Sequence, residues 1–333
     1  MFCHRQNVKR RTHMIFEKAI VQTYKNTLCR RYDGNPCLKY FSHTDFKGLN
    51  AEPFEFSGSF GQLLRGNFYY YGERSTSRLV IFDHGMGGGH DSYMREIQLL
   101  ANHGFTVFSY DKTGCKGSEG ERVTGFAQSV CDLDYAVRAI RALPEYEKAS
   151  LSVIGHSWGA FAALNIPALH PDIEYCVALS GPLGARAMVE QFFSGIMKGY
   201  VKAVFEEEKR NNPHYAELDA VESLKDVNTR VLVIHSKDDP VVSFERHFET
   251  LRKALSDKEN IEFLAVDGKK HNPNYTSQAV ALLDEMNSEL NKAMKKKSIK
   301  TPEDEEAFRS RWDFMQMTEQ DADLWGRVLA FMG

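Results

Sequence analysis

Residues 153–162, Val153-Ile-Gly-His-Ser-Trp-Gly-Ala-Phe-Ala162, put one serine between two glycines directly after an apolar run. Gly155-His-Ser-Trp-Gly159 has the form G-x-S-x-G, with a strand pattern before it and a helical pattern after it. That is the context of a nucleophile elbow, where the turn is so sharp that the flanking residues must be small. The serine hydroxyl then projects above the sheet. The helix that follows aims its N-terminus, with free N–H groups and positive potential, at the same point. Ser157 is therefore a candidate nucleophile, and the alternative is a tight turn with no chemistry.

A serine hydroxyl needs a base, and the base needs an orienting acid. The apolar run Val231-Leu-Val-Ile-His235 leads into Ser236-Lys-Asp-Asp-Pro-Val-Val242. A carboxylate just past a strand end is well placed as the acid, and either Asp238 or Asp239 qualifies. The next strand pattern, Glu262 to Val266, ends in Asp267-Gly-Lys-Lys-His271, which sets an imidazole at the same edge. The order Ser157, Asp238 or Asp239, His271 is the chain order Ser…Asp…His.

Leu79-Val-Ile-Phe-Asp-His84 reads as a strand followed by Gly85-Met-Gly-Gly-Gly89. The glycines do not have G-x-G-x-x-G spacing, and no ribose-binding acid follows, so a dinucleotide cradle is not indicated. A flexible backbone beside the elbow suits an oxyanion hole, with donors from the N–H groups of Met86 and Trp158. His84 and His90 flank this loop without a cysteine partner, and no metal or other cofactor is expected. His156 reads as a local packing residue and His235 as a strand end. His103, His170 and His247 read as solvated positions.

Short apolar runs alternate with helical patterns along most of the chain. Strands are predicted at Leu79 to Phe82, Thr106 to Tyr110, Leu151 to Ile154, Tyr175 to Leu179, Val231 to His235 and Glu262 to Val266. Helices are predicted at Ser92 to Asn102 and Phe126 to Leu143. This alternation predicts a mostly parallel central sheet flanked by helices, with ligands at the carboxyl ends of the strands. An opening hairpin is predicted from the alternating aromatics between Pro53 and Tyr71. Residues 1–50 form a leader with one helical candidate, His13 to Leu28, and the main domain runs over 51–333. The rhythm breaks at about 183–227, where a helical cap is expected over the sheet edge. Its Met188, Phe192, Phe193 and Met197 are candidate substrate-binding residues for an apolar acyl group. The run Glu206-Glu-Glu-Lys-Arg210 is expected on the outer, solvated face. One helix at about Thr276 to Lys297 precedes extra C-terminal helices at 298–333, whose starts are marked by Thr301-Pro302 and by Thr318 with Asp321.

The chain has 333 residues, 42% of them hydrophobic and 26% charged, with a net charge of −3. These values fit a globular domain with a sizeable core and give no preference for nucleic acid or anionic membrane. No apolar run is long enough for a membrane span. The six cysteines are scattered without a CxxC pair, so free thiols and a cytoplasmic location are expected.

Taken together, these pieces resemble the α/β-hydrolase superfamily, in particular its serine esterase, monoacylglycerol-lipase-like and serine aminopeptidase branch. The matching stretches are HGMGGG at 84–89, YDKTGCKGSEG at 110–120, GHSWG at 155–159, DDPVV at 238–242 and GKKH at 268–271. The resemblance implies that Asp239, followed by x-V-V, is the acid and that Met86 supplies an oxyanion donor. It implies hydrolysis of a small-molecule ester through an acyl-enzyme, with an amide or peptide as the alternative substrate. A non-catalytic binding module of the same fold is a further alternative, against which stand the three filled triad positions. Lys116 stands where the loop pattern D-x-x-G-x-G-x-S has its second glycine. The leader and the final helices exceed the minimal fold and could serve packing or a homo-oligomer contact.

Overall fold

The computed structural model describes residues 16–333. Cys3 lies outside the described residues, as do the first three positions of the helix expected from His13. The chain is helical over residues 16–28. A single eight-stranded sheet follows, made of β1 (Leu49–Ser57), β2 (Leu63–Tyr71), β3 (Arg78–Asp83), β4 (Thr106–Tyr110), β5 (Ser150–His156), β6 (Tyr175–Leu179), β7 (Arg230–Ser236) and β8 (Ile261–Val266). Their spatial order is β1-β2-β4-β3-β5-β6-β7-β8. β1, β2 and β4 pair antiparallel, and every other pair is parallel.

The central strands are apolar on both faces because both faces are covered. Leu79 and Ile81 of β3 point into one core with Val153 of β5, beneath the helices Gln128–Arg141 and Trp158–Asn165. Val80 and Phe82 point to the opposite core with Ile154, beneath Met94–Asn102 and the C-terminal helix Ala322–Met332. That two-residue alternation lets one short strand serve two layers. In the second core Trp325, Val328 and Phe331 pack against Val177 and Leu232, so the tail seals a face of the sheet.

Between β6 and β7 the chain forms the helices Ala185–Phe192, Val201–Asn211 and Ala220–Ser223. They stand at the carboxyl edge of the parallel strands. The helix 16–28 joins them: Tyr24 shares a small apolar cluster with Val189, Val201 and Val204. Glu207 and Glu208 are buried, contrary to the solvated face expected for this run. Helical geometry explains Glu208, since Val201, Val204 and Glu208 fall on one stripe facing inward, while Glu207 is covered by ion pairs with Lys25 and Arg210.

Two smaller expectations also change. Asp321 alone caps the final helix by accepting from Leu324 N, whereas Thr318 ends the preceding turn. His247 is buried rather than solvated, with its Nδ1 accepting from Leu183 N at 3.3 Å and its Nε2 donating to Gln191 Oε1 at 3.1 Å. The five cysteines among the described residues are buried free thiols. No helix among the described residues is long and apolar enough to cross a membrane.

Candidate active site

Ser157 turns the chain from β5 into the helix Trp158–Asn165 at φ 55° and ψ −112°. A side-chain-bearing residue at positive φ is strained, and such strain persists only where the surroundings enforce it. Here they do. A Cβ on Gly155 would come within 2.2 Å of the Gly159 carbonyl oxygen, and one on Gly159 within 1.9 Å of the Asp83 carbonyl oxygen. Both glycines are therefore required by the strand–helix crossing that lifts Ser157 off the sheet.

β8 delivers His271 and β7 delivers Asp239 to the same edge. His271 Nε2 is 2.8 Å from Ser157 Oγ, and Nδ1 is 2.8 Å from Asp239 Oδ2. The neutral tautomer that serves both contacts donates from Nδ1–H to the carboxylate and accepts the serine O–H at Nε2. The Asp239 side chain is fully enclosed. Its Oδ1 accepts from the N–H groups of Val241 at 2.8 Å and Val242 at 3.0 Å. His235 Nε2 stands 3.3 Å from Oδ2, so the carboxylate lies between two imidazoles. Burial pushes its pKa up, but hydrogen bonds from His235 and His271 outweigh burial and hold it well below the usual carboxylate range. Asp238 is directed elsewhere, accepting from Ser236 Oγ at 2.5 Å and Lys270 N at 3.2 Å.

The glycine loop after β3 runs beside the elbow. Among the described hydrogen bonds, none engages the N–H of Met86 or of Trp158. Asp111 fixes the loop. Its Oδ1 accepts from the backbone N–H of His90 at 2.9 Å and from His90 Nδ1 at 2.7 Å, and Gly117 N donates to Oδ2 at 3.0 Å. Burial opposes the Asp111 charge, yet His90 prevails and holds the pKa at about 2. Underneath, Lys112 Nζ reaches Asp83 Oδ2 at 2.9 Å with neither side chain exposed, and donates to the His84 carbonyl at 2.6 Å. His84 takes the Lys112 N–H at Nε2 and gives Nδ1–H to the Gly85 carbonyl, so both its ring nitrogens are engaged. Lys116 takes the positive φ of 40° in place of the glycine that the loop pattern carries. Its ammonium group pairs with Asp91 at 2.9 Å and sits 3.3 Å over the Tyr40 ring.

The sequence model of the family described as Serine aminopeptidase, S33 matches residues 74–213. The fold is similar to that of the esterase Pf2001 of Pyrococcus furiosus, at 19% identity and a TM-score of 0.57, covering 79% of this chain and 98% of that one. It is also similar to the α/β hydrolase GrgF from a Penicillium species, at 16% identity and a TM-score of 0.54, covering 74% and 97%. A puromycin-hydrolyzing peptidase of Mycobacterium tuberculosis aligns at 19% identity and a TM-score of 0.53, covering 67% of this chain and 36% of that one. A comparison with curated proteins found no match. The chain has the α/β-hydrolase fold.

Within this α/β-hydrolase fold, Ser157, Met86 and Trp158 open onto a cavity of about 490 Å³. Met188, Phe192, Phe193 and Met197 of the cap all reach its wall, as do Val241 and Val242 of the loop that carries Asp239. Three contributors escaped sequence reasoning. Residues of the helix 16–28 form part of the same wall. Gln191 ties the cap to the loop that carries Asp239, donating to the Val241 carbonyl at 2.8 Å and accepting from Ser243 N at 3.0 Å and His247 Nε2 at 3.1 Å. His156 braces His271: its Nε2 donates to the His271 carbonyl at 2.7 Å, and its Nδ1 accepts from Tyr93 OH at 2.8 Å. The Tyr93 oxygen in turn accepts from Gly85 N at 3.1 Å, so a hydrogen-bonded thread joins the base loop to the glycine loop. Burial pushes the His156 pKa down to about 3, and the thread is uncharged at neutral pH. For His156 and Gln191 the signal available in sequence was position alone, one inside the elbow and one on the cap helix.

Proposed function

We propose that this protein is a serine hydrolase that cleaves carboxylic esters bearing an apolar acyl group. Ser157 Oγ attacks the ester carbonyl carbon as His271 Nε2 takes its proton. The carbonyl π pair moves onto oxygen, where the N–H groups of Met86 and Trp158 receive the negative charge. Collapse of this intermediate breaks the bond to the alcohol, which leaves with the proton from His271. Water, deprotonated by the same imidazole, then releases the acid and restores Ser157. Asp239 keeps the Nδ1–H tautomer and stabilises the imidazolium that forms in each half.

One observation carries the choice of ester: the Ser157–His271–Asp239 chain opens into a cavity whose described wall bears no charged side chain. The amidase reading draws support from the description of the matching family. An aminopeptidase, however, must hold a protonated amine, and that wall offers it no carboxylate. The buried free thiols fit a reducing, cytoplasmic setting. Labelling with a fluorophosphonate, followed by a panel of esters and aminoacyl amides of graded acyl length, tests the reading. Ester turnover that exceeds amide turnover supports it, and turnover confined to aminoacyl amides overturns it.

A further inference from the structure

The helix over residues 16–28 turns Ile20, Thr23, Tyr24, Thr27 and Leu28 to the cavity that holds Ser157. These positions follow the i, i+3, i+4, i+7, i+8 spacing of one helical face. The two threonine hydroxyls donate back to the helix, Thr23 to the Ala19 carbonyl at 2.9 Å and Thr27 to the Thr23 carbonyl at 2.8 Å. The face therefore offers the cavity little free hydrogen-bonding capacity. The family match spans residues 74–213 and does not include this helix.

The helix is fastened by a buried carboxylate. Tyr24 OH donates to Glu208 Oε1 at 2.5 Å, and the same carboxylate accepts from Phe126 N at 2.9 Å and Ala127 N at 3.1 Å. The Phe126 carbonyl accepts from Trp158 Nε1 at 2.6 Å. Leader, cap and elbow thus meet through Glu208 and one residue of backbone. Lys25 adds an ion pair to Glu207 at 2.7 Å, and Tyr24 packs against Phe193 with ring centroids 6.3 Å apart.

We propose that this N-terminal helix is the far wall of the acyl pocket and determines how long an aliphatic chain the enzyme accepts. The proposal rests on the ester-hydrolase reading and adds to it a specificity element that precedes the central sheet in the chain. An acyl chain that passes Met188 and Phe193 meets Ile20 and Thr23, and the Tyr24–Glu208 contact keeps that wall in place.

The test uses the full chain and its variants Thr23→Trp and Ile20→Trp, with Gln22→Trp on the outward face as control. The readout is the ratio of kcat/KM for a dodecanoyl ester to that for a butyryl ester. A second readout is the ratio of labelling rates by long- and short-chain alkyl fluorophosphonates, which needs no turnover. Both inward variants should lower both ratios about tenfold or more, and Gln22→Trp should leave them unchanged. Ratios in Thr23→Trp and Ile20→Trp that match wild type, with labelling retained, would overturn the wall. Wild-type protein that labels but cleaves no ester would instead sink the ester reading, while the labelling ratios still decide the wall.

Discussion

The sheet edge and the cap are built under different constraints. At the elbow, backbone approaches backbone so closely that Gly155 and Gly159 admit no Cβ, and Ser157 is held at positive φ. In the cap and the leader helix, contact is made by side chains that adapt, such as Met188, Met197 and Phe193. In the proposed mechanism the first region carries the chemistry and the second selects the substrate. Substitutions should therefore separate cleanly into those that remove turnover and those that redirect it.

The largest expected effect comes from Ser157→Ala. It should abolish fluorophosphonate labelling and lower ester turnover by roughly 10⁶-fold, by analogy with other serine nucleophiles. Circular dichroism should show an intact fold, and near-native turnover would remove Ser157 from the mechanism. Next comes the pair of neighbouring aspartates. Asp239→Asn should cost about 10⁴-fold in kcat, because the wrong tautomer then faces Ser157. Asp238→Asn, which touches only Ser236 and Lys270, should cost less than about tenfold. Equal losses in a side-by-side assay would reassign the acid.

A smaller effect is expected in the cap. Phe193→Asn, or Phe192→Asn at the more exposed position, should shift the preferred acyl length while Ser157 still labels. Unchanged profiles in folded variants would reduce these phenyl groups to packing. The smallest effect on catalysis is expected at Glu96, in the helix Met94–Asn102. Its Oε1 accepts from Asn274 at 2.9 Å, and burial pushes its pKa up to about 7. A raised carboxylate pKa favours folding at low pH, and that advantage is lost as pH rises from the unfolded value of 4.5 through 7. Glu96→Gln should therefore melt higher than wild type at pH 8 and about equally at pH 4.5. The difference is at most about 3 kcal/mol. A midpoint gap that does not widen with pH would show that burial of this charge costs nothing.

How far the sequence could be read follows the same division. The G-x-S-x-G turn, the strand before it and the chain order of Ser157, Asp239 and His271 were legible because backbone geometry admits few residues there. Thr106–Tyr110 and Tyr175–Leu179 were legible from apolar runs bounded by breaks. The choice between Asp238 and Asp239 was not decidable from spacing, since both lie one turn past β7 and only contacts distinguish them. The buried Glu208 was misjudged because a charge within a charged run reads as solvated. Its signal lay in the shared stripe with Val201 and Val204. The role of the helix 16–28 depends on contact with residues more than 150 positions away, which no local pattern carries.

Asp239 between two imidazoles has a consequence for counting protons. Acid must protonate something before the reaction stops, since an imidazolium at His271 cannot accept the serine proton. Asp239 is held ionised far below neutrality, and His156, the imidazole behind the base, takes up a proton only near pH 3. Neither contributes to the acid limb above that pH.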